Sequence, residues 1–150
     1  MIDRLRSKVA VMELTLRLDA DLESIAIADK AVGDFAESMS WPDDSIFKVK
    51  LVLEEILMNV ISYGGDGAHK PSISMHLSQK GDLVSMEIAD DGIPYDPLTA
   101  PPPDLESDLD HRPVGGLGVF LIRELMDSVA YRRENGRNHL TVKKRLGSTD

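Results

Sequence analysis

A two-layer α+β sandwich, with helices on one face of a mixed, mostly antiparallel sheet, is the architecture this sequence predicts. Three observations predict it. Several stretches alternate apolar and polar residues, three others repeat apolar residues at helical spacing, and no internal repeat or second set of such segments calls for another domain. A length of 150 residues suits one domain spanning 1–150.

Met12, Leu14, Leu16 and Leu18 alternate with Glu13, Thr15 and Arg17, which predicts a strand with one wet face. Asp19 or Asp21 then offers a helix N-cap. Leu22, Ile25, Val32, Phe35 and Met39 follow at helical spacing until Trp41-Pro42 stops them. A second helix starts near Asp43 or Asp44, turns Val49, Val52, Leu53, Ile56 and Val60 inward, and ends at Gly64-Gly65. Alternation returns with Ile73, Met75 and Leu77 opposite Ser72, Ser74, His76 and Ser78. Gly81-Asp82 makes a turn into a strand carrying Val84, Met86 and Ile88 inward. From Ile93 to Val114 the chain holds six prolines and the acidic series Asp104, Glu106, Asp108 and Asp110, a long loop of the kind that carries function. A helix from about Gly116 to Asp127 precedes two final strands. In the last strand Leu140, Val142 and Leu146 face inward while His139, Thr141, Lys143 and Arg145 face out.

Seventeen basic against twenty-six acidic side chains leave a net charge of −9, which discourages binding to nucleic acid or to an anionic membrane. The absence of cysteine excludes disulfides and thiolate chemistry. The first twenty residues alternate charged and apolar side chains, unlike a signal-peptide core, and no apolar run is long enough to cross a bilayer. A soluble cytoplasmic domain is the expectation.

Glu55 and Asn59 stand four apart on the second helix and so share a face. An amide oxygen suits a magnesium ion that keeps its waters, and a carboxylate one turn earlier can accept a proton from a hydroxyl. The same pair also reads as a polar stripe on a half-exposed helix, with Glu54 on another side and solvated. Asp90 shares parity with Val84, Met86 and Ile88 and points inward. There a carboxylate needs a donor such as the amino group of adenine, or else it caps the following turn. Gly92 lets the backbone approach a flat ring. Gly115-Gly116-Leu117-Gly118 opens the third helix with backbone N–H groups able to face phosphate oxygens, although a tight turn has the same composition. Arg112 is either a cation for that site or a solvated loop arginine. His69, His76, His111 and His139 lack metal-ligand spacing. Arg132, Arg133, Arg137, Lys143, Lys144 and Arg145 form a solvated hairpin or a docking patch for an acidic partner.

Glu-x-x-x-Asn on a helix, Asp-x-Gly at a strand end, a long loop and a Gly-x-Gly helix start resemble the GHKL ATPase superfamily. Within it the chain looks like the small anti-sigma factor serine kinases of bacterial partner-switching systems, from about Met12 to Leu146. The stretch DDGIPYDP is similar to the Asp-x-Gly-x-Pro-Phe-Asp-Pro of that subgroup, and GGLGVFLIRELMD to its third box. The resemblance implies a Bergerat-type ATP-binding fold, with Asn59 as magnesium ligand, Glu55 as general base, and Asp90 on the adenine amino group beside Gly92. It further implies that Gly115, Gly116, Leu117 and Gly118 cradle phosphates with Arg112 nearby, and that the loop from about 94 to 114 closes over ATP. Two positions depart from the pattern. Tyr63 stands where His or Lys is frequent, and Asn138-His139 stands where Thr is common. Asn138 has inward parity and so joins the expected nucleotide-binding residues.

The implied activity is transfer of the γ-phosphoryl group of ATP to a serine of a STAS-type anti-anti-sigma protein, with sequestration of a sigma factor or other regulatory protein by a homodimer. A nucleotide-binding partner-switching module without turnover is the alternative, and retention of Glu55 favours the kinase. A sensor histidine kinase is disfavoured, since no helix with a phosphoacceptor histidine precedes the domain.

Overall fold

The computed structural model describes residues 10–65, 70–99 and 116–147. In chain order the elements are β1 (Val11–Asp19), α1 (Leu22–Ser38), α2 (Asp43–Tyr63), β2 (Ser72–Lys80), β3 (Leu83–Asp90), a single 3-10 turn (Pro97–Thr99), α3 (Gly116–Leu125), β4 (Ser128–Glu134) and β5 (Arg137–Arg145). The strands form one five-stranded sheet in the order β1-β2-β3-β5-β4. The sequence predicts a mixed, mostly antiparallel sheet, and each pairing, β1–β2, β2–β3, β3–β5 and β4–β5, is antiparallel. The reason is the place of β5. The connection through α3 brings β4 back parallel to β3, but the hairpin return then inserts β5 between them.

The helices cover the face of the sheet on which Ile73, Met75, Leu77, Met86, Ile88, Leu140 and Val142 are buried. They contribute Val49, Val52, Leu53, Ile56 and Leu57 from α2 and Ile122 from α3. Burial of a side chain such as Leu53 contributes about 1.5–3 kcal/mol. In α1 the buried stripe is Ser24, Ala28, Val32 and Ala36. Small residues there let α1 lie close against α2. Leu22, assigned to the inner face by spacing, is 65% exposed, because the buried stripe starts at Ser24 and Leu22 lies on another side of the same turn. Asp21 is the N-cap, its carboxylate accepting from the Ser24 N–H at 2.9 Å. Trp41 is buried, stacks edge-on against Phe35 and donates its indole N–H to Gln79 at 2.7 Å.

Glu54 is not a solvated side chain. It faces Asp29 of α1, and the two carboxyls lie close together beside Lys50. Burial raises the pKa of Asp29 against the pull of Lys50. Burial first, and then the charge of Asp29, raises that of Glu54. A folded-state pKa above the unfolded value means that the pair stabilises the fold most below the ordinary carboxylate range, and that this contribution is lost as pH rises through the shifted values. Asp29→Asn offers Glu54 an amide donor and removes one charge. We expect urea midpoints that are higher at pH 7 and less dependent on pH between 4 and 7 than those of the wild type. An unchanged pH profile would exclude the pair as its source.

No helix among the described residues is long and apolar enough to cross a membrane.

Candidate functional site

A narrow cleft opens where α2 passes over the end of β3 and the start of β5, with Tyr131 of β4 at its side. Ile56, Val60, Ile88 and Leu140 form an apolar floor, and Asn59, Asp90, Tyr95, Tyr131 and Asn138 supply polar groups around it. A mostly apolar concavity with a few converging polar atoms is the usual form of a small-molecule site.

Asn59 is 6% exposed, and its Nδ2 is enclosed without a hydrogen-bond partner among the described residues. Leaving a buried amide donor unpaired costs about 1–3 kcal/mol. A ligand bearing acceptor oxygens would remove that cost, and the carbonyl end of the same carboxamide is a hard oxygen donor suited to magnesium. One helical turn earlier, Glu55 is half-buried. Its carboxylate lies directly against Gly118 in the first turn of α3, where any side chain would collide with it.

Asp90 is 5% exposed at the end of β3, pointing inward as its parity predicts. Its Oδ1 accepts from the Gly92 N–H at 2.9 Å and from Asn138 Nδ2 at 3.1 Å. The turn-cap reading of Asp90 is therefore realised on Oδ1, and Asn138 supplies the second donor that an inward carboxylate requires. The loop after Asp90 is pressed onto the C-terminus of α2. The Ile93 N–H donates to the Gly64 carbonyl at 2.9 Å, and Gly92 sits so close to that carbonyl that a Cβ would overlap it. Arg133 donates to the Gly92 carbonyl at 2.8 Å from the other side. Tyr63 and Tyr95 stack with ring centroids 5.2 Å apart, closing the rim.

Glu55, Asn59, Asp90, Gly92, Gly118 and Asn138 are thus brought to one region, with Asn59, Asp90 and Asn138 lining the cleft and Glu55, Gly92 and Gly118 beyond its walls proper. Gly116 begins α3. Arg112, Gly115, the side chain of Leu117 and the loop from 100 to 115 lie outside the described residues, as do His69 and His111. Tyr95, Tyr131 and Arg133 were not among the predicted site residues. Tyr131 carries a signal, since it pairs in register with the inward Leu140. Of the basic C-terminal series, Arg132 bonds Glu87 and Glu134, Arg137 bonds Ser74, Lys144 bonds the Leu125 carbonyl and Arg145 bonds Asp82. Internal partners therefore occupy most of that patch.

The profile of the histidine kinase-like ATPase domain matches residues 18–144. The chain belongs to this family. Among family relatives, the serine/threonine-protein kinase BtrW of Bordetella bronchiseptica is 36% identical over 121 residues, covering 81% of this chain and 78% of its own. The serine-protein kinase RsbW of Bacillus cereus is 25% identical over 138 residues, covering 87% and 84%. The RsbU and RsbW domains of Rv1364c from Mycobacterium tuberculosis superpose with a TM-score of 0.65 at 15% identity, over 90% of this chain and 32% of that one. The SiaB–SiaC complex of Pseudomonas aeruginosa gives a TM-score of 0.52 at 11% identity, over 97% and 96%. These two superpositions establish the shared fold, the α+β sandwich of the family.

Proposed function

We propose that this protein is an ATP-dependent protein-serine kinase and anti-sigma-type regulator of a partner-switching system. The observation that carries the reading is the convergence of Asn59 and Asp90 on one cleft, with Gly92 bonded to Asp90 behind its wall and Glu55 one turn before Asn59. Kinase relatives that cover most of this chain support it.

ATP and Mg2+ fit the donor set. Asp90, with Gly92 beside it, would accept from the adenine amino group, and the carboxamide oxygen of Asn59 would hold the metal, which would neutralise phosphate charge. In the same reading Gly115, Gly116, Leu117 and Gly118, with Arg112 before them in sequence, would hold the phosphates, and the segment from about 94 to 114 would serve as a lid. Glu55 takes the proton of the attacking serine hydroxyl as the new O–P bond forms. The bond from the γ-phosphorus to the bridging oxygen breaks, and ADP leaves. The substrate is a serine of a STAS-type anti-anti-sigma protein, and the regulatory output is a sigma factor or comparable protein held by a cytoplasmic homodimer.

Incubation with γ-labelled Mg-ATP and the cognate STAS protein tests the activity. Label on a serine of that protein is the expected result. Tight nucleotide binding with no transfer would favour the non-catalytic switching module. Asn59→Ala should weaken Mg-ATP binding by about tenfold or more while leaving metal-free ATP binding nearly unchanged. An equal effect with and without the metal would remove the ligand assignment.

A further inference from the structure

Asn138 stands on β5 directly opposite Asp90 on β3, 6% exposed, and every hydrogen-bonding function of its carboxamide is used. Nδ2 donates to Asp90 Oδ1 at 3.1 Å and to the Ile93 carbonyl at 2.8 Å. Oδ1 accepts from the Tyr131 hydroxyl at 2.6 Å and from the Tyr95 N–H at 3.3 Å. These neighbours force the orientation of the amide. A carboxylate and a carbonyl only accept and a backbone N–H only donates, so the flipped amide would set like against like at three contacts.

We propose that Asn138 is a positioning residue that sets base selectivity by aiming the carboxylate of Asp90. This rests on the reading of the cleft as a nucleotide site. With two donors and two lone pairs engaged, Asn138 has nothing left with which to hold a ligand itself. Its effect passes through Asp90. Together with the Gly92 N–H it saturates Oδ1, and no hydrogen bond from the described residues falls on Oδ2. Asp90 lines the cleft, so Oδ2 is an oxygen that can only accept, locked in direction. A purine with an amino group at that edge donates to it. A purine with a carbonyl there sets acceptor against acceptor, and a buried polar site rejects such a mismatch strongly. Loosening the carboxamide lets the carboxylate rotate, and the distinction weakens.

Asn138→Val and Asn138→Thr differ by one hydroxyl at nearly constant shape, and both suit a strand. Dissociation constants for Mg-ATP, Mg-GTP and inorganic magnesium triphosphate should be measured by calorimetry for each. We expect Asn138→Val to lower the ATP:GTP affinity ratio by about tenfold with triphosphate affinity unchanged within about twofold, and Asn138→Thr to restore most of the ratio through its hydroxyl donor. A ratio in Asn138→Val equal to wild type overturns the proposal. So does an equal loss for all three ligands, which marks a merely structural tether. If Asn138→Val does not fold, Tyr131→Phe, which removes one bond to Oδ1, carries the test. A lowered ratio supports the proposal and an unchanged ratio overturns it. Failure of the wild type to bind any of the three ligands instead removes the nucleotide reading beneath it.

Discussion

Glu55→Gln should lower serine phosphorylation by about 10²–10⁴-fold while changing Mg-ATP affinity less than about twofold. The substitution keeps the size of the side chain, which matters because the Glu55 carboxylate packs directly on Gly118 of α3. What it removes is the capacity to take a proton. A glutamine amide can accept a hydrogen bond from the attacking hydroxyl, yet it does not hold the proton as the O–P bond forms. Single-turnover transfer of labelled phosphate, run beside calorimetric titration, separates chemistry from binding. Transfer at the wild-type rate would exclude Glu55 as the base. A parallel loss of rate and affinity would instead give it a role in holding the nucleotide.

Gly92→Ala should nearly abolish nucleotide binding and lower stability by about 1–3 kcal/mol. The added Cβ would overlap the Gly64 carbonyl oxygen and stand 2.9 Å from both Asp90 Oδ1 and the Gly64 carbonyl carbon. Two of those three atoms are backbone, so the loop itself must lift away from the end of α2. Lifting breaks the Ile93–Gly64 hydrogen bond and the cap that Asp90 makes to Gly92. Gly81 supplies the control. It has a φ of +62° in the β2–β3 turn and open space around its Cβ position. Gly81→Ala should cost about 1–2 kcal/mol of local strain with nucleotide affinity unchanged. Thermal denaturation and equilibrium binding of the two variants make the comparison. Equal binding by both would remove Gly92 from the site.

Periodicity reports which face a residue occupies, and it was a good guide wherever a face decides the outcome. The inner stripe of α2, the alternation of β2 and β3, and the inward direction of Asp90 and Asn138 all follow from it. It does not report neighbours across the sheet. Nothing in the spacing of Val84 or Leu140 reveals that β5 lies beside β3, so a mostly antiparallel sheet is legible while its strand order is not. Glu54 was misread for the same reason. Its own helix places it off the Glu55–Asn59 face, but Asp29, which determines its surroundings, comes from α1. Leu22 stays exposed because the inner stripe of α1 is made of Ser24, Ala28, Val32 and Ala36, small or polar residues that a search for large apolar side chains passes over. In the site, Glu55, Asn59 and Asp90 were legible as residue types at diagnostic spacing. The Tyr63–Tyr95 stack and the Arg133 bond to Gly92 depend on loop geometry, on which one chain's pattern is silent.

The interior position of β5 has a consequence for synthesis. Residues 137–145 are made last among the strands, yet they form the seam joining β4 to β3. Until they leave the ribosome, β3 exposes unpaired N–H and C=O groups along one side, and β4 has no strand to join. The nascent chain can zip only β1, β2 and β3, and Asp90 waits without the side chain that will orient it. Completing the sheet and assembling the base-reading end of the cleft are then one late, long-range event. Chaperone dependence should therefore rise sharply for ribosome-bound chains that stop before Arg137 has emerged and fall once Arg145 is clear.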